Sequence, residues 1–535
     1  MRYNNSVMFV RIKTAYNRDG SPRQYLQIVE SQRIEGKVRQ KVLSNLGRVE
    51  DLMDGKLDNL IQSLAKFSNN LTVINAANDL FADWSKEYGP ALVFRRLWET
   101  LGLSTILKSL LSRTQHTIDI EEAIFCMVLN RLCEPASKRV VNQWKEDIYR
   151  PEFASLELHH FYRSLDFLAD YKDEIEESLF VGQTDLFSRT LDLVFFDTTS
   201  TYFEGQAAEG LAQYGHSKDH RSDRLQIVIG ILMTRDGLPI AHHVFPGNTP
   251  DGETFRQAVT DLKRRFPIDR IIVVGDRGMM GQKTLETLES LNLEYILGVR
   301  MRKLKAVREV LSRAGRYSIV KDNLKVKQVL HDDVRYIVCY NEDEAIRDKE
   351  VRQEIIWKLE AKIRRSGVKS LIGNSAYRKY LKLDGSTAQV DIEQLESEAI
   401  YDGKYVLRTN TELEAKEVAL AYRDLWQIER AFRHLKTTLE VRPIYHWNED
   451  RIRGHVCVCF LALVLQATMQ KLLLNADKPA SYGEVMRDLA KLQAVKLRLK
   501  DKEHIVRTEL TGQANQAFQA VRLRVPPRVI TQDLP

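Results

Sequence analysis

The segment LDLVFFDTTSTYFEG, residues 191–205, constrains the fold more than any other stretch of the chain. Leu193, Val194, Phe195 and Phe196 form an unbroken apolar run, the pattern of a strand covered on both faces. Asp197 follows at once, so the strand is expected to end on a carboxylate, with Thr198 to Thr201 in a wetted polar loop behind it. The stretch RIIVVGDRG repeats the pattern, and there Asp276 closes the apolar run. Taken singly, either aspartate reads as a cap or loop anchor. Two of them at the carboxyl ends of strands in one sheet occupy the place where α/β ligand sites form. Facing carboxylates repel unless a cation lies between them, and an oxygen-rich site of this kind suits Mg²⁺ or Mn²⁺.

A third carboxylate comes from LAYRDLWQIERAFRHLKTTLE, within a single long helix expected over 414–439. Tyr422, Glu429 and Lys436 are spaced by seven, so neighbours in the series lie within about 20° of one line on that helix. Leu425 and Phe432 share the stripe, which therefore mixes core residues with an acid and a base. Glu429 reads equally as an i,i+4 partner of Arg433, and Tyr422 and Lys436 as snorkelling rim residues.

Around these residues the chain reads strand, hairpin (LQIVIGILMT, RDG, LPIAHHVFPG), helix, strand, helix, strand, which makes a mixed α/β sheet. Thr249 is the expected cap of the helix TPDGETFRQAVTDLKRRF, with Pro250 at its first position. His242 and His243 lie on the hairpin and read as sheet residues. Residues 88–180 show the helical apolar rhythm, and another apolar helix is expected over 453–474. The boundaries expected are a basic β arm at 1–50, a helical DNA-binding or linking region at 51–185 and the first part of a core at 186–300. An insertion follows at 301–402, then the second part of the core at 403–475 and a C-terminal helical region at 476–535.

Charge matters here for where it sits. The net charge is +7, and residues 1–48 alone carry ten cations, among them Arg11, Lys13, Arg39 and Lys41, against Asp19, Glu30 and Glu35. The excess of the whole chain therefore lies in the N-terminal arm, and nucleic acid is the natural partner. Three short strands are expected in that arm, with cations and apolar residues alternating so that the cations share one face. A solvated basic surface fits the composition equally. The five cysteines contain no CxxC pair, which argues against a disulfide framework or a zinc knuckle. The apolar run VCVCFLALVL is about half of the ~20 residues needed to span a bilayer. No signal peptide opens the chain, and a cytoplasmic protein is expected.

The order Asp197, Asp276, then Tyr422, Glu429 and Lys436, resembles the DDE transposases of bacterial insertion sequences, in the branch with a YREK-signature helix. GHSKDHRSDRLQIVIGILMTRDGLPIAHHVFPGNTPD, VVGDRGM, RHLKTTLEVRPIYHWNEDRIRGHVCVCFLALVL and QKVLSNLGRVEDL carry the same likeness. Leu425 stands where the signature has arginine, and Arg430 and Arg433 are the candidate substitutes as DNA contacts.

The resemblance implies an α/β, RNase H-like mixed sheet with a strand-rich insertion, preceded by a small β arm and a helical region. It implies DNA cleavage and joining of 3′-hydroxyl ends by two divalent metal ions, held by Asp197, Asp276 and Glu429. Tyr422 and Lys436 would hold the DNA backbone, and Lys218, His220 and Arg221 are further phosphate contacts or merely a solvated loop. The implied partners are the element's terminal repeats and target DNA, met by a homodimer in a synaptic complex, with no membrane. Two other readings stay open: a nuclease or resolvase on the same core without strand transfer, and a catalytically decayed DNA-binding repressor.

Overall fold

The computed structural model describes residues 7–34, 37–68, 80–115, 118–183, 193–204, 207–218, 220–302, 304–366, 380–384, 387–499 and 502–530. Arg2 and Glu35 of the arm fall outside the described residues. Two compact units divide the chain: Met1–Trp84 with Val495–Val506 and Thr531–Pro535, and Ser85–Ala494 with Arg507–Ile530.

In the first unit β1 (Val7–Tyr16), β2 (Pro22–Ile34) and β3 (Lys37–Arg48) form an antiparallel sheet in that order. Its register separates the cations that alternation was expected to gather. Arg11 and Lys13 pair with Gln27 and Tyr25, whereas Arg39 and Lys41 pair with Gln32 and Glu30. Paired residues share a face and successive residues alternate. Arg39 and Lys41 therefore lie on the opposite face from Arg11 and Lys13. Each face also carries exposed apolar residues, Val7 and Val38 on one, Met8, Val10 and Ile12 on the other. Among the described residues, only Val29 of these strands' apolar side chains is fully enclosed.

β4 (Leu80–Glu87) precedes the helical stretch, and the second unit is built on one large sheet. Its strands are β5 (Leu193–Tyr202), β6 (Gln226–Thr234), β7 (Pro239–Pro246), β8 (Ile272–Gly275) and β9 (Glu294–Gly298). They are joined by β10 (Ser318–Lys321), β11 (Leu324–His331), β12 (Val334–Asn341) and, after the small hairpin β13 (Leu381–Asp384) and β14 (Thr387–Val390), by β15 (Lys404–Thr409). The order β7-β6-β5-β8-β9 is the RNase H-like arrangement: β5, β6 and β7 meander antiparallel, and β8 and β9 add in parallel beside β5. β15 continues antiparallel from β9, and β12, β11 and β10 follow, so the inserted strands widen the same sheet.

β5 shows why the apolar run needed both faces covered. Leu193 and Phe195 enter the core beneath the central helix Glu449–Leu474, while Val194 and Phe196 enter a second core under the helix Asp251–Arg265. Phe196 and Phe255 meet there edge to face at 5.7 Å. The central helix is long and apolar enough to cross a membrane by length and composition, yet 72% of its apolar window is buried. It packs on the helices Leu158–Gln183 and Ile120–Cys133 as the protein's own core. A side chain at Gly454 would strike the Leu165 backbone, so that crossing requires glycine.

Four local expectations change. β5 does not end at Asp197: antiparallel pairing with β6 carries it to Tyr202, and Thr198, Thr199, Ser200 and Thr201 are buried rather than wetted. The helix after Pro250 starts at Asp251 with Pro250 as its cap, because Thr249 donates its hydroxyl back to the Pro246 carbonyl. The single helix over 414–439 is two, Ala415–Arg423 and Trp426–Thr437. The C-terminal region is not wholly helical: Gln493–Leu499 and Lys502–Arg507 are neighbouring strands, in keeping with the period-2 alternation of AVKLRL.

Candidate active site

Register brings the two strand aspartates together. Leu193 to Phe196 of β5 pair in parallel with Ile272 to Gly275 of β8, one for one. Asp197 and Asp276 are the next residue on each side, so they occupy matching positions on the same face of the sheet. β8 stops at Gly275, which leaves Asp276 exposed and the Asp197 edge open toward it. Burial raises the Asp197 carboxyl above its ordinary range, and the Asp276 charge adds to the rise. Lys218 opposes them: its ammonium lies 3.4 Å from Asp197 Oδ1 and also donates to the Thr198 carbonyl. The Thr198 backbone N–H donates to the same carboxylate oxygen at 2.7 Å. On the other face the Thr198 hydroxyl donates to Asp251 Oδ1 at 3.1 Å.

Tyr422 reaches this pair from the helix Ala415–Arg423, whose start is fixed by a reciprocal cap between Glu414 and Glu417. Its hydroxyl donates to Asp276 Oδ1 at 3.3 Å, and its ring stacks on Tyr405 of β15. Burial, then the Asp276 charge, pushes the phenol far up, so it stays a donor. Gly298 makes the approach possible, since a Cβ there would collide with the Tyr422 hydroxyl.

Glu429 stands apart. The turn at Asp424–Leu425 is tightened by i→i−3 bonds from Leu425 to Tyr422 and from Gln427 to Asp424, which breaks the straight stripe. Leu425 is half-buried against the core, so its position is an apolar contact. The helix Trp426–Thr437 packs on β5 through Ile428, Ala431, Phe432 and Leu435 and leaves Glu429 exposed in its first turn. Glu429 and Arg433 are both exposed, and among the described residues no ion pair joins them. Among the described residues, no group of three acidic, histidine or cysteine side chains stands ready-made around one point. Asp197 and Asp276 are gathered; Glu429 is near in fold and not yet joined to them.

The candidate phosphate contacts divide by occupation. Arg221 is held by both oxygens of Asp223 at 2.9 and 3.0 Å and lies over the Tyr202 ring. His220 is exposed in the same loop, with a left-handed backbone. Arg430 reaches His434 and Gln470 across a cleft of about 590 Å³, while Arg433 is exposed and Lys436 half-buried in the last turns. Trp426, half exposed at that cleft, was not singled out in the sequence because an isolated tryptophan carries no spacing signal. His242 and His243 lie on β7 beside Glu176 and Asp261, as sheet residues.

Residues 189–465, more than half of the chain, match the family model described as "Transposase DDE domain". The chain belongs to the DDE transposases. Its residues 10–78 match the N-terminal domain of the IS1634 family of transposases, which marks it as an insertion-sequence enzyme. Among solved structures it is similar to the piggyBac transposase synaptic complex with hairpin DNA, at 11% identity and a TM-score of 0.38, over 76% of this chain and 80% of that one. It is also similar to the Mos1 transposase paired-end complex with left transposon end, at 14% identity and a TM-score of 0.15, over 34% and 60%. No curated protein matches.

Proposed function

We propose that this DDE transposase binds its element's terminal repeats, hydrolyses phosphodiester bonds there and joins the freed 3′-hydroxyl ends to target DNA. One observation carries the reading: Asp197 and Asp276 stand at matching positions where β8 stops, on the sheet face that the Glu429 helix covers. The donor chemistry fits a divalent cation. Two carboxylates share one face, one of them half-buried, and Lys218 already supplies positive charge at 3.4 Å. Asp197 and Asp276 would hold magnesium or manganese, two ions in all, with Glu429 completing the set after a local adjustment of its turn. Bound there, the ions supply the charge that stabilises attacking and leaving oxygens in an in-line displacement.

The protein's own side chains do the rest. Tyr422 holds Asp276 by its hydroxyl, and Lys218 holds Asp197. Lys436, Arg430 and Arg433 line up DNA phosphates along the glutamate helix, and Lys218, His220 and Arg221 do so from the loop before β6. The arm contributes Arg11 and Lys13 from one sheet face and Arg39 and Lys41 from the other. Work of this kind places the protein in the cytoplasm with the nucleoid, as a dimer across two element ends. The test incubates the full chain with DNA carrying the element's ends and Mg²⁺. Nicks ending in 3′-hydroxyls and joined products are expected. Cleavage without joining would make it a nuclease, and binding without cleavage a repressor.

A further inference from the structure

Away from the aspartates lies a cavity of about 470 Å³, inside the roughly 300–1,000 Å³ range of ligand sites. Arg131, Lys138, Arg139, Arg442, His446 and His455 line it. Its walls all belong to one unit: the helix Ile120–Cys133, the start of the helix Lys138–Trp144, Tyr162 of the helix Leu158–Gln183, the chain that follows the glutamate helix, and His455 of the central helix.

Lys138 is 3% exposed, and its ammonium has no hydrogen-bond partner. Arg131, 4% exposed, gives its terminal nitrogens to the carbonyls of Leu439, Glu440 and Ala136, which leaves Nε unpartnered. His455 is also buried with Nδ1 unpartnered, while its Nε2 lies 3.2 Å from the Val441 carbonyl. Glu440 is the one acid among the described lining residues; it is exposed and pairs with neither cation.

Burying a cation without a partner is costly, and such groups in folded proteins are normally paired. Here a buried ammonium and a buried guanidinium line one cavity, and the ammonium and the guanidinium Nε both lack a partner. Burial, then the Arg131 charge, pushes the Lys138 amine down to about 7, and burial with the same cations takes His446 down to about 3. The neighbourhood is therefore short of negative charge from several directions at once. The missing partner must be anionic, small enough for the cavity, and able to accept from an ammonium, a guanidinium Nε–H and the arginines of the rim. A phosphate group has those acceptors in a compact cluster.

We infer that this cavity binds a phosphate of the DNA backbone, as a positioning site beyond the catalytic aspartates. The assignment to DNA rests on the transposase reading; the phosphate site itself does not. Arg131 ties the site to catalysis mechanically, because its guanidinium holds the Leu439 and Glu440 carbonyls just past the end of the glutamate helix. A phosphate drawn onto Lys138 thus fixes DNA against the element that carries Glu429, about 12 Å along the helix from its last turn.

The test uses the full chain and inorganic phosphate against chloride at matched ionic strength, read by thermal melting. Phosphate is expected to raise the melting temperature of the wild type. Lys138→Met removes a buried unpaired charge, so it should melt no lower than wild type in chloride and lose the phosphate shift. Arg139→Ala, at an exposed position that cannot unfold the protein, should reduce the shift. Lys138→Met should also bind duplex DNA roughly tenfold more weakly, with a salt slope smaller by about 0.9. No phosphate shift in the wild type overturns the site. A phosphate shift that Lys138→Met abolishes, with DNA affinity and slope unchanged, overturns the DNA assignment and makes the ligand a free phosphate. Asp197→Asn serves as the control: it stops cleavage if the transposase reading holds and leaves the phosphate shift alone.

Discussion

The two sheets of this protein use register to opposite effect. In the large sheet, one-for-one parallel pairing of β5 with β8 carries two distant aspartates to matching positions on one face. In the arm, antiparallel pairing of β2 with β1 and β3 sends Arg11 and Lys13 to one face and Arg39 and Lys41 to the other. The large sheet is sandwiched between two cores, so a slip by one residue would turn Phe195 and Phe196 into the wrong layers. The arm leaves apolar residues exposed on both faces, so burial pins its register far less. A site is therefore precise where burial enforces pairing, and a charge pattern is diffuse where it does not.

The largest expected effect attacks the gathered pair. Asp197→Asn and Asp276→Asn should each lower cleavage by at least about a hundredfold, as loss of a charge-stabilising group does, with DNA binding retained. Equal cleavage by either variant in a nicking assay would break the equation of matching register with function. Next comes burial itself. Phe196→Ala should cost about 3–5 kcal/mol in denaturant unfolding, whereas Phe9→Ala in the arm should stay within about 0.5 kcal/mol. Similar losses would mean that the arm's apolar residues are covered in solution.

Acid should act through the second unit. Burial pushes the His243 imidazole down to about 4. Burial alone would raise the Glu176 carboxyl, but Lys172, His242 and Arg265 overcome it and hold it well below the carboxylate range. Both groups are depressed on folding, so the unfolded chain takes up their protons at higher pH than the native one. The share of stability from these two groups is complete above about pH 6.5, falls toward pH 4 as His243 titrates and falls further below about 4.3 through Glu176. The His243 share is at most about 3 kcal/mol, and melting curves across that window check it. A melting temperature that rises on acidification would reverse the sign.

Leu425→Arg distinguishes a DNA-facing position from a core one. Its half-buried contact with the core predicts a loss of roughly 1–3 kcal/mol and no gain in cleavage. A variant as stable as wild type and more active would restore the signature's arginine to a groove-facing role. The smallest effect belongs to the arm. Arg11→Ala with Lys13→Ala, compared with Arg39→Ala and Lys41→Ala, should change the salt slope by about 1.8 for whichever face meets DNA and by little for the other. Equal changes would show DNA wrapped on both faces.

The apolar runs before the two aspartates, the hairpin, the central helix and the order of the three carboxylates could be read in the chain, because apolar periodicity and turn residues act over a few neighbours. That Asp197 continues a strand to Tyr202 could not, since its pairing with Ile231 is set by β6, more than thirty residues away. The break at Asp424–Leu425 was equally hidden: no glycine or proline marks it, and Leu425 packs on a core assembled elsewhere in the chain.

The sequence by itself determined the order of the three carboxylates, which strands must be buried and which family these motifs resemble. Tertiary structure alone decided that Asp197 and Asp276 stand together, that Glu429 stands apart, that the arm's cations divide between two faces and that Lys138 is buried without a partner. The reason is physical. Spacing along a chain fixes which face of its own element a residue occupies, but only pairing and packing between distant segments fix what that face meets and how much water remains there.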